Sequence, residues 1–224
     1  MSNASAEPIP PENGVLEVFY SAHSAFAFIG FPAMAALAAK YGLRVSHRLM
    51  ELSPVMEAGG AQKFADRSTA HKDYFFGTEV DRWAAHRGLP IVNHRPTHHD
   101  ADYGFAAKLI LAAQALQHQA TDVNADALHA DALAFAILQF HWQDDGDLSD
   151  EAALIDHLEA AGFPLGSAVE TARSPDIASR YAQNTKEAIE RSVFGSPTYF
   201  VNGEMFYGQD RLDLIDWRLS QPAK

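Results

Sequence analysis

Residues 193–212 read VFGSPTYFVNGEMFYGQDRL, and this stretch decides the fold. Pro197 to Asn202 is an apolar, β-branched and aromatic run that reads as a strand opened by a proline. Asn202-Gly203 is a strong hairpin turn, and Glu204 to Tyr207 is the return strand. Gly208 and Gln209 then lead into a last helix with Leu212, Ile215 and Leu219 on one face.

Moving outward, the N-terminal end supplies the complement. Residues 15–20, VLEVFY, read as a strand. Ser24 is a good N-cap for an Ala- and Phe-rich helix that runs to about Ala39 and stops at Gly42. Leu43, Val45, His47 and Leu49 share one face of a second strand, so the chain starts β-α-β.

The middle reads as helices with few strand signals. One spans 69–87 and ends at Gly88; others span 101–119 and 125–143. Ser149 caps another, with Asp150 and Glu151 in its first turn, and Gly162 stops it. Asn184 with Glu187 three residues later looks like one more capping box. Phe26, Phe28, Phe31, Phe135, Phe140 and Trp142 read as core.

The plan is α/β: a thioredoxin-like fold with a large all-helical domain inserted after the second strand. The thioredoxin-like part comprises residues 15–52 and 192–224, and the insertion residues 53–191. Residues 1–14, with Pro8, Pro10 and Pro11, form a disordered tail.

Composition narrows the chemistry. The 224 residues carry 17 Lys+Arg against 29 Asp+Glu, a formal charge of -12, and no cysteine. Without cysteine there is no disulfide, thiolate metal site, iron–sulfur cluster or protein-borne redox thiol. The acidic balance argues against nucleic acid as a partner, because phosphate binding needs clustered positive charge. No secretory leader pattern and no run of about 18 apolar residues is present, so no membrane partner is expected and the cytoplasm is the default compartment.

Three features carry the chemistry together: Ser24 at a strand–helix junction, Ser196-Pro197 before a strand, and Gln209-Asp210 at the start of the last helix. Singly, each has a plainer role, as an N-cap, a trans proline at a strand start, and charge complementing a helix end. In a thioredoxin plan the first helix N-terminus and the loop before the third strand lie side by side. A proline there is often cis, and the backbone before it is free to pair with an extended peptide. The last helix start offers N–H groups to a carboxylate, and Asp210 an acceptor for an ammonium. A small peptide-like thiol such as glutathione suits this set.

On these residues the chain resembles the kappa-class glutathione transferase and 2-hydroxychromene-2-carboxylate isomerase family, a DsbA-like branch of the thioredoxin superfamily. The resemblance runs from Val15 to Leu219. It is most specific in Phe194–Leu212, which follows the family pattern FGxPTxxVxGExxxGxDRL. Lys72, Asp81-Arg82-Trp83 and Gly88-Leu89-Pro90 resemble its K…RW…GIP element. The resemblance implies that Ser24 faces the sulfur of bound glutathione and that the backbone of Ser196, before a cis Pro197, holds its cysteinyl part. It further implies that Gln209 and Asp210 bind the γ-glutamyl end, that Lys72 lies near, and that Phe206 and Tyr207 line the substrate pocket. A homodimer is implied as well. The chain departs from the family at Ala25, where a proline is usual, at Ala27 in place of a second serine, and in lacking an asparagine between residues 51 and 71.

The implied activity is a glutathione-dependent cis-trans isomerisation of an unsaturated aromatic-derived carboxylate. The alternatives are a kappa-type transferase conjugating small electrophiles, and a glutathione-binding protein without turnover. The substrate pocket is expected between the thioredoxin part and the insertion. Two rivals stand further off. A serine hydrolase pairing Ser24 with His23 lacks the G-x-S-x-G elbow. A metal site at His94, His98, His99, Asp100 and Asp102 has plausible ligands, but they sit in a polar loop; no metal is expected.

Overall fold

A computed structural model of the protein describes residues 14–62, 64–119 and 128–221. The expected N-terminal tail lies outside them, apart from Gly14. Four strands form one sheet: β1 (Val15–Tyr20), β2 (Arg44–Leu49), β3 (Thr198–Val201) and β4 (Glu204–Tyr207), in the order β2-β1-β3-β4. β2 runs parallel to β1, while β3 is antiparallel to both β1 and β4. This is the thioredoxin arrangement expected from the two ends of the chain.

Strand alternation sorts the core into two layers. Leu16, Val18 and Tyr20 of β1 and Tyr199 and Val201 of β3 face the main core, while Phe19 and Phe200 face a small second cluster with Met50, Val55 and Val193. α1 (Ala25–Tyr41) is apolar nearly all round because it is enclosed between the sheet and other helices. Gly42 ends it at φ 62°, a left-handed C-cap.

Between β2 and β3 come α2 (Leu52–Ala58), α3 (Thr69–Tyr74), α4 (Val80–Arg87), α5 (Gly104–Gln119), α6 (Ala130–Trp142), α7 (Glu151–Ala160), α8 (Ala168–Ala172) and α9 (Pro175–Glu190). α10 (Leu212–Leu219) closes the chain after a 3-10 turn at Gln209–Arg211. Among the described residues, no helix is long and apolar enough to cross a membrane.

Four details differ from the sequence reading. The rod expected over 69–87 is interrupted by a π-helical turn, Phe75–Glu79, which links α3 to α4. Ser149 is not the cap of α7: its hydroxyl donates to Asp147, and Asp150 accepts from Ala153 N at 3.0 Å instead. Asn184 starts no helix but lies buried inside α9, whose true start is Ser174-Pro175, with Ser174 Oγ accepting from Ile177 N. The Asn184 amide serves the sheet instead, donating to Leu49 O at 3.1 Å. Finally, α2 and α8, at 7 and 5 residues, are too short to show a periodic stripe.

The insertion also finishes the β2 edge. Gln114 of α5 accepts from His47 N at 2.6 Å and donates to His47 O at 3.2 Å, mimicking a neighbouring strand. Arg191 lies over Phe200 and pairs with Glu17 and Glu187, covering the second cluster.

Candidate active site

Ser24 is the N-cap of α1, in extended backbone at φ -72° and ψ 121°. Its Oγ accepts from Ala27 N at 3.2 Å and donates to Ser196 O at 3.3 Å. The Ala25 and Phe26 N–H groups, first in the helix, have no helical acceptor, so positive potential gathers beside the hydroxyl. The Ser196–Pro197 peptide bond is cis. Ser196 Oγ accepts from Ser21 N at 3.1 Å, so the two loops are joined twice. Ser21 Oγ is buried without a partner of its own.

The third element follows at once. Gly208 N donates to Pro197 O at 3.0 Å, which ties the last turn to the cis peptide. Gly208 is at φ 102°, and a Cβ there would meet Asp210 Oδ1 at 2.5 Å, so only glycine fits. Gln209 is 2% exposed, and its Oε1 accepts from Arg87 Nε and Nη2 at 3.3 and 3.2 Å. Arg87, at the end of α4, is a positioning residue that nothing in the sequence pairs with position 209. A Cβ on Gly30 would lie 2.6 Å from Gln209 Cβ, so a glycine lets α1 approach the turn. Asp210 stays on the surface beside Arg211.

Ser24, Ser196, Pro197, Gln209 and Asp210 are therefore brought together, through Gly208. Lys72 lies on α3; the hydrogen bond from Arg95 chiefly lowers the Asp100 pKa, with His23 and then Lys72 adding weaker attraction. Phe206 and Tyr207 are adjacent on β4 and face opposite sides, so they do not share a pocket. Phe206 packs on the main core, and Tyr207 is exposed and packs on Phe194, with ring centroids 6.0 Å apart.

The helical insertion contributes an aromatic wall. Phe75, in the π-helical turn, meets Phe26 of α1 edge-on at 5.4 Å, and Phe76 meets His99 at 5.2 Å. His23 points away from Ser24 into this wall. It stacks on Tyr103 at 4.0 Å and contacts His99 at 4.8 Å. Trp142 Nε1 donates to His23 O at 3.1 Å. His99 Nδ1 and His141 Nε2 are 2.9 Å apart, and His141 Nδ1 is 3.0 Å from Gly146 O. Burial, then the neighbouring His141, lowers the His23 pKa to about 3. Burial, then His23 and His141, lowers that of His99 to about 2. His141 is lowered too, mainly by burial.

The residues weighed as metal ligands go to separate partners: His94 to Asp145, His98 to Asp147, His99 to His141, Asp100 to Arg95, and Asp102 to Gly104 N. Among the described residues no group of three or more such side chains is poised to hold a metal ion. The two clearest grooves avoid the cap and the cis peptide. One of about 590 Å³ follows β2 past Arg44 and Gln114, and one of about 480 Å³ lies between Glu51, Tyr103 and Tyr181.

Residues 15–220 match the DSBA-like thioredoxin domain. The chain belongs to that family. Within it, this DSBA-like chain is 25% identical over 207 residues to a 2-hydroxychromene-2-carboxylate isomerase of Sphingobium xenophagum, covering 90% of this chain and 95% of the relative. It is 27% identical over 203 residues to the enzyme of that name from Pseudomonas sp. (strain C18), covering 90% and 88%. A solved structure of a 2-hydroxychromene-2-carboxylate isomerase superposes with a TM-score of 0.71 at 23% identity, covering 91% of this chain and 93% of that one, which shows the fold.

Proposed function

We propose that this protein is a glutathione-dependent isomerase of the 2-hydroxychromene-2-carboxylate isomerase type. The observation that carries the reading is Ser24. A hydroxyl stands at the start of α1, 3.3 Å from the carbonyl that precedes cis Pro197, in a chain with no cysteine. A site of this form without its own thiol suits a ligand that brings one. The N–H groups of Ala25 and Phe26 at the start of α1 fit a peptide-like thiol. The names of the curated relatives favour isomerisation over conjugation.

When bound, glutathione supplies the sulfur nucleophile for reversible addition to the unsaturated substrate. The chain does the rest. Ser24 Oγ and the α1 N-terminus favour the anionic form of a thiol, whose free pKa of about 8.5 would fall to roughly 6–7. That raises the reactive fraction at neutral pH about tenfold or more. Ser196 offers backbone pairing next to the cis bond. The 209–211 turn offers Asp210 to an ammonium, while Arg87 keeps Gln209 and hence the turn in place.

The test is thermal stability with and without millimolar glutathione, for the wild type and Asp210→Ala. Saturation at about 100 times Kd adds roughly 2.7 kcal/mol, a rise of several degrees. The expected result is a rise in the wild type that fades in the variant. No rise at saturating glutathione would remove the reading.

A further inference from the structure

The groove of about 590 Å³ beside β2 is lined by polar residues alone, with no Phe, Tyr or Trp among them. Arg44, Ser46 and Arg48 alternate along the strand and so share one face. α9 turns Ser179, Arg180 and Gln183 toward it, at the spacing of one helix face. α5 adds Gln114 and His118, also one turn apart. Gln114 is 7% exposed and is bonded to the His47 backbone through both its oxygen and its nitrogen, so the floor is fixed.

The two ends of the groove are neutralised unequally. At one end Arg48 pairs with Glu187, which together with Glu17 also holds Arg191. At the other end neither Arg44 nor Arg180 pairs with a carboxylate among the described residues, although the chain carries a net charge of -12. Arg44 Nη1 donates to His118 Nε2 at 3.1 Å instead. Burial, then Arg44, then Arg180, lowers the His118 pKa, so the ring is neutral at pH 7 and its proton sits on Nδ1. His118 thus spends its one acceptor on Arg44 and keeps a donor. The two guanidinium groups approach it from different elements, β2 and α9. Asp176, one turn before Arg180, is the opposing charge at this end, and it forms no ion pair among the described residues.

We propose that this end of the groove binds a compact phosphate anion of the pyrophosphate class, held between Arg44 and Arg180. A carboxylate has two oxygens and one charge, enough for a single guanidinium fork. Two guanidinium groups with the Ser46 and Ser179 hydroxyls beside them suit an anion with more oxygens and more charge. The lack of Phe, Tyr or Trp leaves a nucleobase no ring to stack on, which favours a simple phosphate over a nucleotide. The site is separate from the thiol site. Arg44 pairs with Val15 and Leu49 with Tyr20, so Arg44 lies at the far end of the sheet from Ser24, about 16 Å along the strand. Bound there, the anion bridges β2 to α9 and braces the sheet against the insertion. Its binding requires neither glutathione nor turnover.

The experiment titrates pyrophosphate into the protein by calorimetry at pH 7.5 and low salt, where exposed charges are least screened. The wild type is compared with Arg44→Gln, Arg180→Gln, Asp176→Asn and Lys186→Gln, the last a charge on α9 outside the groove. The expected result is one saturable site in the wild type. Arg44→Gln and Arg180→Gln each weaken it about tenfold, the loss of one charge-assisted hydrogen bond. Asp176→Asn tightens it severalfold, a gain that a misfolded variant does not give. Lys186→Gln changes it by less than about twofold. Absence of binding at about 10 mM pyrophosphate, well above a millimolar Kd, overturns the proposal. Equal losses in Lys186→Gln and Arg44→Gln overturn it too, because they reduce the effect to general charge attraction. Succinate binding as tightly as pyrophosphate overturns the choice of phosphate.

Discussion

The two sides of the site are built from different materials. On the sheet side, three loops are tied by hydrogen bonds: Ser24 to Ser196, Ser21 to Ser196, and Gly208 to Pro197. On the helical side, His23, Phe76, His99, Tyr103 and Trp142 meet mainly by ring contact. Backbone hydrogen bonds fix direction, which suits a ligand of constant shape. Ring packing fixes mainly area and position, which suits a variable one. On the function proposed above, the first side would hold the thiol and the second would meet the variable reactant.

The sharpest way to break this division is Ser24→Ala. It should lower glutathione-dependent turnover by about a hundredfold or more, the usual effect of removing one preorganised donor. Stability should drop by only about 1 kcal/mol for the lost cap. Steady-state kinetics beside a melting curve separates the two effects, and equal collapse of both would mean that Ser24 is structural. Next is Gly30→Val. Its side chain enters space held by Gln209 Cβ at 2.6 Å, so overpacking should cost about 1–3 kcal/mol and weaken glutathione binding by calorimetry. Arg87→Ala leaves the buried Gln209 Oε1 without its partner and should cost about 1–2 kcal/mol, seen as a Tm lower by several degrees.

The last effect is on pH dependence and belongs to the wall. His23 and His99 have folded pKa values of about 3 and about 2, below the ordinary 6.5. Below pH 6.5 the unfolded chain therefore binds protons that the folded one refuses, and stability falls as pH drops from 6.5 toward 3. Melting curves between pH 7 and 4 should flatten in His99→Phe relative to the wild type. An identical slope would show that acid sensitivity arises elsewhere.

The sheet side was readable from sequence because each of its parts is local. A serine before a helix, a proline before a strand and Asn202-Gly203 announce themselves within a few residues. The aromatic wall was not readable. His23, His99 and His141 are far apart in the chain, and a histidine-rich loop looks the same whether its side chains face water, a metal or each other. Phe206 and Tyr207 part for a simpler reason: adjacency in a strand means opposite faces. The link from Arg87 to Gln209 spans 122 residues and leaves no local signature. The Asn184–Glu187 pattern misled because an amide wanted at the sheet edge mimics a capping box.

The bonds that Gln114 and Asn184 make to the backbone of β2 reach past the site. Each needs both the strand and a helix of the insertion in place, so neither partner is complete alone. Detaching the helices would bare His47 N and O and Leu49 O along one margin, while the main core, which runs unbroken from Leu16 to Leu219, would be torn open. The two parts are therefore a single cooperative unit, and the protein should lose its sheet and its helices in the same melting transition.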